Sequence, residues 1–493
     1  SRVRALGRFS SDPEPTSPQD RLLWHFIRAI RWLELADRGE LLAPGDPFEL
    51  PPFERPLDDK PLCLFLESEN DLLEWTEIKE RWGIARFGRL DHPDCWIAKE
   101  LLSPDLAPVK TFFWNSAWEG STSAIESGLW FYLENIPLVT EWQVPRSWDE
   151  LNAVLQRQDR SFYKSFSQAS KHLRSTERPL LLLGFPIPKS VGDAPAVVTW
   201  QGARLPPLSN KRNTRGRTDF KALTRRDLEF VLPNNPSIGW LRSQNWDSDQ
   251  LFSRGKLSNS LSQSRVALIG AGALGSMIAE YLVRAGLRSL VIVDPDFIQS
   301  GNMARHTLDL SSIGEFKAND LALRLSAISP QLDIEGHSKT LAEVPPGSVD
   351  AVRTADIIIE TTGDDEVLEE VARFGWDSPK HFISLSIGFR AKRLFCYHLK
   401  GDRFTFQPML DGLKSVLDAE RNEASQSDFP REGVGCWHPV FPARCDDIAL
   451  QASTAVKWLE STIQNEAKVT SLAIFEQQEA AGQFSGISRR DLF

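Results

Sequence analysis

A short apolar run that breaks into a glycine-rich turn constrains the fold of this 493-residue chain more than any other feature. The run, Val266–Ile269, leads into Gly270-x-Gly272-x-x-Gly275. A helical pattern follows, and a second apolar run then ends on Asp294. This order is typical of a β-α-β nucleotide-binding unit, in which glycines let the backbone approach a phosphate at the N-terminus of a helix. We therefore expect an α/β domain with a parallel sheet in the second half of the chain.

Length and composition limit the classes of protein to which the chain can belong. A chain of this length is expected to hold two or three domains. Because no apolar run approaches the roughly 18 residues of a membrane span, and because the net charge of −10 argues against general nucleic-acid binding, neither a membrane nor a nucleic acid is an expected partner. Five cysteines without paired spacing indicate a reducing compartment, so we expect a cytoplasmic protein.

The two halves of the chain differ in composition, since 13 of the 16 tryptophans precede residue 250. Residues 1–205 are expected to form a separate N-terminal domain of mixed α and β structure. Residues 206–260, which are punctuated by proline and glycine, are expected to form a connector. Residues 261–493 would then form the nucleotide-binding domain, in which residues 407–435 are expected to be a long loop.

Three polar side chains that follow Asp294 provide what a triphosphate site needs. Arg305 offers a planar fork for phosphate oxygens, and Lys317, at a predicted helix start, offers a point charge beside the positive end of the helix dipole. Asn302 can bridge phosphate and backbone. When pyrophosphate leaves, charge accumulates on the phosphoryl oxygens, which such groups stabilise. Each residue alone is more commonly a surface or capping residue, but their order after the glycine turn favours a nucleotide site.

This ordered set resembles the ATP-binding core of the ThiF–MoeB family, which includes the adenylation domains of ubiquitin-activating enzymes. The resemblance extends over about residues 250–475 and implies a Rossmann-like adenylation domain that binds ATP and Mg²⁺. It implies that Asp294 binds the ribose, and that Asn302, Arg305 and Lys317 hold the triphosphate.

The same resemblance implies a reaction. The enzyme would adenylate the C-terminal carboxylate of a ubiquitin-like protein, receive it as a thioester on a cysteine and pass it to a conjugating enzyme. Bacterial relatives of this kind occur in antiviral defence operons.

The chain departs from the family pattern at the magnesium ligand. Family members carry an Asp in a Thr-Asp-Asn motif, whereas this chain has Gly363 at the aligned position. Asp364, one residue on, is the predicted magnesium ligand, with Asp365 as the alternative. Capping of the following helix explains either residue equally well.

Family enzymes also take an arginine from a dimer partner, or from an inactive pseudo-symmetric copy in the same chain. Arg254 is the predicted counterpart, and a homodimer or an internal pseudo-dimer is expected. The first half could accordingly be a degenerate adenylation-like domain. Bacterial systems also fuse a conjugating domain at this place, but the stretch that ends in Cys95 is better explained by a structural cysteine.

Cys436 is the predicted acceptor thiol, since its place resembles that of the catalytic cysteine in bacterial relatives. A helix start or the nearby His438 would favour the thiolate, although a buried structural cysteine explains Cys436 equally well. Cys445 is the second choice, because the two aspartates that follow it oppose thiolate formation. Cys436, His438 and Cys445 are too few and too poorly spaced for a structural zinc site, so none is expected.

Three alternatives stay open. A nicotinamide-dependent dehydrogenase would use the same glycines and Asp294, but it gives no reason for Arg305 and Lys317. A sulfur-carrier-protein adenylyltransferase would use the same core. A binding-only pseudoenzyme is suggested by Gly363.

Overall fold

The computed structural model of the chain describes residues 14–53, 61–90, 94–140, 142–174, 176, 179–209, 219–425, 442–465 and 469–493. Among the helices in these ranges, none combines the length and the apolar character that a membrane span requires.

The chain folds into two units whose boundary lies between Asp247 and Ser248. The N-terminal unit ends at Asp247, but the short segment Trp114–Gly120 belongs with the C-terminal unit. Residues 206–260, expected to be a connector, are therefore divided between the two units. Their strands Gly239–Trp240 and Arg242–Asn245 pair with neighbouring strands of the N-terminal sheet. Strands this short show no clear hydrophobic period, so the sequence pattern does not predict them.

The N-terminal unit is built on a nine-stranded mixed sheet. Its strands are β1 (Leu62–Phe65), β2 (Trp82–Leu90), β3 (Cys95–Leu102), β4 (Pro108–Thr111), β5 (Ala124–Tyr132), β6 (Leu180–Pro188), β7 (Pro195–Arg204), β8 (Gly239–Trp240) and β9 (Arg242–Asn245). They lie in the order β8-β7-β6-β5-β2-β3-β1-β9, and β4 pairs with β3. The sheet combines antiparallel pairs such as β2–β3 with parallel pairs such as β5–β6, as in an α+β domain.

The same unit contains helices of 7 to 20 residues. They are α1 (Pro18–Asp37), α2 (Asp71–Glu77), α4 (Trp148–Gln156), α5 (Phe162–Leu173) and α6 (Phe220–Arg226), while α3 (Ser116–Gly120) lies in the segment assigned to the other unit. After α6 a π-helical turn spans Asp227–Val231 and a short α-helical turn spans Leu232–Asn234. Helices α4 and α5 pack their apolar faces on the sheet, where Leu151 and Phe166 are fully buried.

The C-terminal unit is a doubly wound α/β domain with an eight-stranded sheet. Its strands are β10 (Arg265–Ile269), β11 (Ser289–Val293), β12 (Asp333–His337), β13 (Ile357–Glu360), β14 (Lys380–Ile387), β15 (Arg393–Gly401), β16 (Thr470–Ala480) and β17 (Gln483–Asp491). The order is β12-β11-β10-β13-β14-β15-β16-β17, in which the first five strands are parallel and the last three are antiparallel. The predicted Rossmann-like fold of this half is confirmed.

Helices cover both faces of this sheet. They are α7 (Ser248–Leu251), α8 (Asn259–Ser262), α9 (Ala273–Arg284), α10 (Lys317–Ser326), α11 (Pro346–Arg353), α12 (Asp365–Arg373), α13 (Gln407–Ser425) and α14 (Cys445–Gln464). Short 3₁₀ turns span Ser300–Asn302, Leu310–Ser312, Leu341–Glu343 and Phe389–Ala391.

Helix α13 corrects one expectation. Residues 407–425 are not a loop but a 19-residue helix. Met409 and Leu413 are buried at helical spacing and pack into the core beside β16. The Asp, Glu, Ser and Gly residues of this segment concealed the helical period, because composition is a weaker signal than the position of the apolar residues.

Candidate nucleotide-binding site

A cavity of about 920 Å³ opens at the carboxyl ends of the parallel strands. The ends of β10, β11 and β13 and the start of α9 line it. After β10 the chain continues to β11 on one side of it, whereas β13 lies on the other side of β10 in the sheet. The cavity therefore lies where the strand order reverses. Doubly wound sheets bind their ligands at such a switch point.

The glycine turn forms the floor of this cavity. Gly270 has φ +93°, a conformation that side-chain-bearing residues rarely adopt. Gly275 lets α9 pass close to this turn, because a Cβ there would lie 2.1 Å from the carbonyl oxygen of Gly270. Gly272 has open space around it and is the N-cap of α9, with no side-chain cap. The backbone amides of the first turn are thus available to an anion.

Substitution of Gly275 tests this packing. Alanine would gain about 1 kcal/mol of helix propensity, but a methyl group so close to backbone atoms forces a shift that costs about 1–3 kcal/mol. We expect Gly275→Ala to lower the midpoint of thermal unfolding, measured by circular dichroism. Gly272→Ser, which places a favoured cap in open space, serves as the control and should leave the midpoint unchanged. Equal midpoints for the two variants would contradict the packing described.

Asp294 lies at the end of β11 and lines the cavity, as a ribose ligand would. Its Oδ2 accepts a hydrogen bond from the backbone N–H of Ala271 at 2.6 Å, and its Oδ1 accepts one from that of Asp296 at 2.8 Å. Burial raises the pKa of this carboxyl, while the two backbone donors oppose that rise. The side chain therefore holds the glycine turn in place in addition to facing the cavity.

Lys317 is the first residue of α10 and also lines the cavity. The residue is only 8% exposed, and its Nζ lies 2.7 Å from Oδ2 of Asp296. Asp296, itself part of the lining, was not singled out from the sequence. The feature of the sequence that points to Asp296 is its position, two residues after Asp294 at the carboxyl end of a buried strand. Both residues of the ion pair line the cavity, so the phosphate oxygens of a nucleotide would compete with the Asp296 carboxylate for the ammonium group.

Asn302 and Arg305 lie in the loop between β11 and α10. Neither is among the described residues that line the cavity. Oδ1 of Asn302 accepts a hydrogen bond from the backbone N–H of Gln299 at 2.9 Å, which closes the 3₁₀ turn Ser300–Asn302. Arg305 is half-buried in the same loop. The structure thus brings Asp294 and Lys317 to the glycine turn, while the triphosphate roles of Asn302 and Arg305 stay predictions.

The side of the cavity beyond β13 is built on a buried carboxylate. Oε1 of Glu360 accepts hydrogen bonds from the backbone N–H groups of Thr362 at 2.6 Å and Gly363 at 3.2 Å. Its Oε2 accepts one from Ser384 Oγ at 2.8 Å. Burial raises the pKa of Glu360, and these donors oppose that rise. Thr361 donates its hydroxyl to the carbonyl of Gly270 at 2.7 Å, which ties this strand end to the glycine turn.

Gly363 and Asp364 follow this strand end, where the sequence departs from the family motif. Gly363 has φ +66°, so the backbone itself favours glycine at this position. Asp364 is the N-cap of α12, and its Oδ1 accepts from the backbone N–H of Glu366 at 2.8 Å. The capping interpretation is confirmed for Asp364, which also lines the cavity. Asp365, the alternative, is the first residue of α12 and is not among the described lining residues.

Helix α13 supplies the far wall of the cavity through Leu417, Glu420 and Arg421. Glu420 is only 8% exposed. Its carboxylate accepts from the backbone N–H of Phe389 and from Arg393 Nη1, the latter at 2.5 Å. The sequence did not indicate these residues, because the segment was expected to be a loop.

The remaining predicted residues lie elsewhere or outside the described ranges. Arg254 is exposed in the turn after α7 and is not among the described lining residues. Cys436 and His438 fall outside the described residues. Cys445 is exposed and is the first residue of α14, while Cys95 is buried in β3. Within the described ranges, no three metal-ligating side chains form a group that could hold a metal ion, and the zinc expectation stays a prediction.

Comparison with known proteins places the chain in a family. The family model "Cap2 central linker domain" matches residues 39–246, and that of the ThiF family matches residues 248–430. The chain is 36% identical over 458 residues to the ATP-dependent ubiquitin transferase-like protein Cap2 of Enterobacter hormaechei subsp. hoffmannii. That alignment covers 90% of this chain and 74% of the relative. The chain belongs to the Cap2 family. The match to the Cap2 central linker domain and the match to the ThiF family meet at the boundary between the two structural units.

More distant likenesses cover a smaller share of the chain. The chain is 36% identical over 104 residues to the adenylyltransferase and sulfurtransferase uba4 of Ogataea parapolymorpha, which is 21% of this chain and 26% of that protein. Among solved structures, the crystal structure of PaaA is similar at 18% identity, with a TM-score of 0.35 over 48% of this chain and 74% of that one.

Proposed function

We propose that this protein is an adenylating enzyme that uses ATP to activate the C-terminal carboxylate of a ubiquitin-like protein. One observation carries the proposal: the Lys317 ammonium and the uncapped N-terminus of α9 line the same cavity as the glycine turn. The name of the Enterobacter relative, which describes an ATP-dependent ubiquitin transferase-like protein, supports the same function. By the family resemblance, such a protein would act in antiviral defence.

The reaction makes definite demands on the cavity. The substrate carboxylate attacks the α-phosphorus of ATP, an acyl-adenylate forms and pyrophosphate leaves. Negative charge on the phosphoryl oxygens needs fixed cations and backbone donors. The first turn of α9 supplies N–H groups and the positive end of a helix dipole, and Lys317 supplies a full charge.

The cavity is large enough for a nucleotide and part of a second substrate. Its volume of about 920 Å³ lies at the upper end of the ordinary range for small-molecule sites, roughly 300–1,000 Å³. The nucleotide would lie above Gly272, with the ribose beside Asp294. The space toward α13, beside Leu417 and Glu420, would then receive the end of the substrate chain.

Magnesium would be held near Asp364, in keeping with carboxylate oxygen as its preferred ligand. We expect Asp364→Asn to retain the cap on α12, because asparagine caps as well as aspartate, and to raise the Mg²⁺ concentration required for half-maximal pyrophosphate exchange. Titration of the exchange rate with MgCl₂ measures this. Asp365→Asn, one residue further along the helix, is the control. An unchanged requirement in Asp364→Asn would exclude Asp364 as a ligand.

The later steps follow the family pattern. The acyl group would pass from the adenylate to Cys436 as a thioester and then to a conjugating enzyme. Arg254 would reach the nucleotide of a second copy in a homodimer, or of an internal pseudo-dimer. Asn302 and Arg305 would turn toward the triphosphate when it is bound.

A sulfur-carrier-protein adenylyltransferase is the second candidate. The match to uba4, whose name includes both adenylyltransferase and sulfurtransferase, favours it over about a fifth of the chain. Both candidates adenylate a C-terminal carboxylate and differ in what receives the acyl group.

Exchange of labelled pyrophosphate into ATP tests the proposal. Small proteins that copurify with the full chain, identified by mass spectrometry, provide the substrate. We expect exchange that depends on such a protein and on its C-terminal residue. A thioester after incubation with ATP would favour the ubiquitin-like pathway over the sulfur-carrier one. No exchange with any copurifying protein, despite ATP binding, would instead indicate a binding-only protein.

A further inference from the structure

The single residue between the first two glycines of the turn, Ala271, is held on both sides by side chains. Its N–H donates to Asp294 Oδ2 at 2.6 Å, and its carbonyl accepts from His306 Nε2 at 2.6 Å. Ala271 is fully buried, and His306 is only 8% exposed. We refer to these three residues as the Ala271 clamp.

The hydrogen bonds of His306 fix its protonation. The backbone N–H of Leu308 donates to His306 Nδ1 at 3.1 Å, so Nδ1 is an acceptor and carries no proton. The proton is therefore on Nε2, where it can be donated to the carbonyl of Ala271. This assignment makes the ring neutral and defines its tautomer.

The carbonyl that His306 holds belongs to the same peptide group as the N–H of Gly272. In a trans peptide these two groups point in opposite directions. Because His306 holds the carbonyl toward the protein interior, the N–H of Gly272 is directed away from His306. Gly272 lines the cavity, whereas Ala271 is not among the described lining residues. The clamp thus orients an amide at the start of α9 for an anionic ligand.

We propose that His306 is a positioning residue for the nucleotide site, which acts through the Ala271 carbonyl to present the N–H of Gly272 to a phosphate group. The proposal rests on the proposed nucleotide-binding function. His306 itself would not touch the nucleotide.

This role predicts a pH dependence with a definite sign. Burial lowers the pKa of His306 below its ordinary value of 6.5; the Ala271 hydrogen bond opposes this, and the nearby charges of Lys317 and Arg324 lower the pKa further. A group whose pKa is lowered by folding contributes fully above its unfolded pKa and loses that contribution as the pH falls through the folded pKa. A second proton would occupy Nδ1 and displace the N–H of Leu308. Nucleotide affinity should therefore fall in acid.

Three forms of the full chain separate a positioning role from a structural one. Wild type, His306→Gln and His306→Leu are titrated with ATP by calorimetry between pH 5.5 and 8. Glutamine can donate to the Ala271 carbonyl but does not ionise, while leucine fills space without donating. At pH 8 we expect His306→Leu to bind ATP about tenfold more weakly, the loss typical of one buried hydrogen bond, and His306→Gln to bind within about threefold of wild type. The acid loss should be larger in wild type than in His306→Gln, because protonation of the ATP phosphates weakens binding to both forms equally.

Hydrogen exchange without nucleotide gives a second measurement. The amides of residues 270–272 should exchange faster in His306→Leu than in wild type or His306→Gln. Equal ATP affinity and equal exchange in His306→Leu would overturn the proposal, as would an acid loss in His306→Gln as large as that in wild type. If wild type itself binds no ATP, the proposed function fails, and the exchange rates alone then decide whether the clamp exists.

Discussion

Lys317→Ala is expected to lower the rate of ATP–pyrophosphate exchange by about 10²- to 10³-fold, the usual effect of removing one preorganised charge-stabilising donor. The lysine ammonium lies in the cavity at the start of α10, with Asp296 as its ion-pair partner. Removing it leaves one fixed cation fewer in the cavity to stabilise the developing charge of the leaving pyrophosphate. The fold should persist, because an ion pair with a carboxylate that is 67% exposed contributes little, about 0–1 kcal/mol.

Two variants act as controls for this prediction. Lys256→Ala removes an ammonium group that pairs with Asp249 and is not among the described lining residues of the cavity, so its exchange rate should match wild type. Asp296→Asn keeps Lys317 but removes its partner, and should retain more activity than Lys317→Ala. If Lys317→Ala and Lys256→Ala have the same exchange rate, the assignment of this cavity to adenylation is wrong.

Cys436→Ala is expected to abolish the thioester while leaving pyrophosphate exchange intact. The two steps are chemically separate, since adenylation needs no thiol and thioester formation requires a nucleophilic sulfur. Incubation with ATP and the copurifying small protein, followed by non-reducing electrophoresis, detects the adduct. Dithiothreitol should remove it in wild type.

Cys445→Ala is the matched control for Cys436→Ala. Cys445 is exposed at the start of α14, so it is accessible to chemistry, but two carboxylates, Asp446 and Asp447, follow it in the same turn. We expect its variant to form the thioester normally. A thioester that survives Cys436→Ala and disappears in Cys445→Ala would move the acceptor role to the second cysteine.

The sequence predicted the fold best where the pattern of neighbouring residues by itself determines the local structure. The apolar runs at β10 and β11 and the glycines between them lead directly to a parallel pair and a helix. This signal extends over neighbouring residues and needs no knowledge of distant contacts.

The sequence indicated less where structure depends on long-range pairing. Strand β9 pairs with β1, about 180 residues earlier, and nothing in its four residues predicts that partner. Helix α13 was obscured by its charged composition, although its buried face supplies a wall of the cavity.

Within the candidate site, residue types were easier to predict than their contacts. Asp294 and Lys317 reach the cavity because both lie at element ends that the glycine motif positions. Asp296 and Glu360 were missed because their roles consist of hydrogen bonds to other parts of the site. His306 directly follows Arg305 in the sequence, but its partner, the carbonyl of Ala271, is 35 residues away. Every residue has a backbone carbonyl, so the sequence does not show which carbonyl a side chain will contact.

Calorimetric titration of the full chain with ATP, and in parallel with NAD, tests the central claim most directly. The claim is that the cavity above Gly272 holds the triphosphate of ATP beside Lys317. We predict that ATP binds, that Lys317→Ala weakens this binding and that NAD does not compete. Tight binding of NAD with no binding of ATP would contradict the account and favour a dehydrogenase.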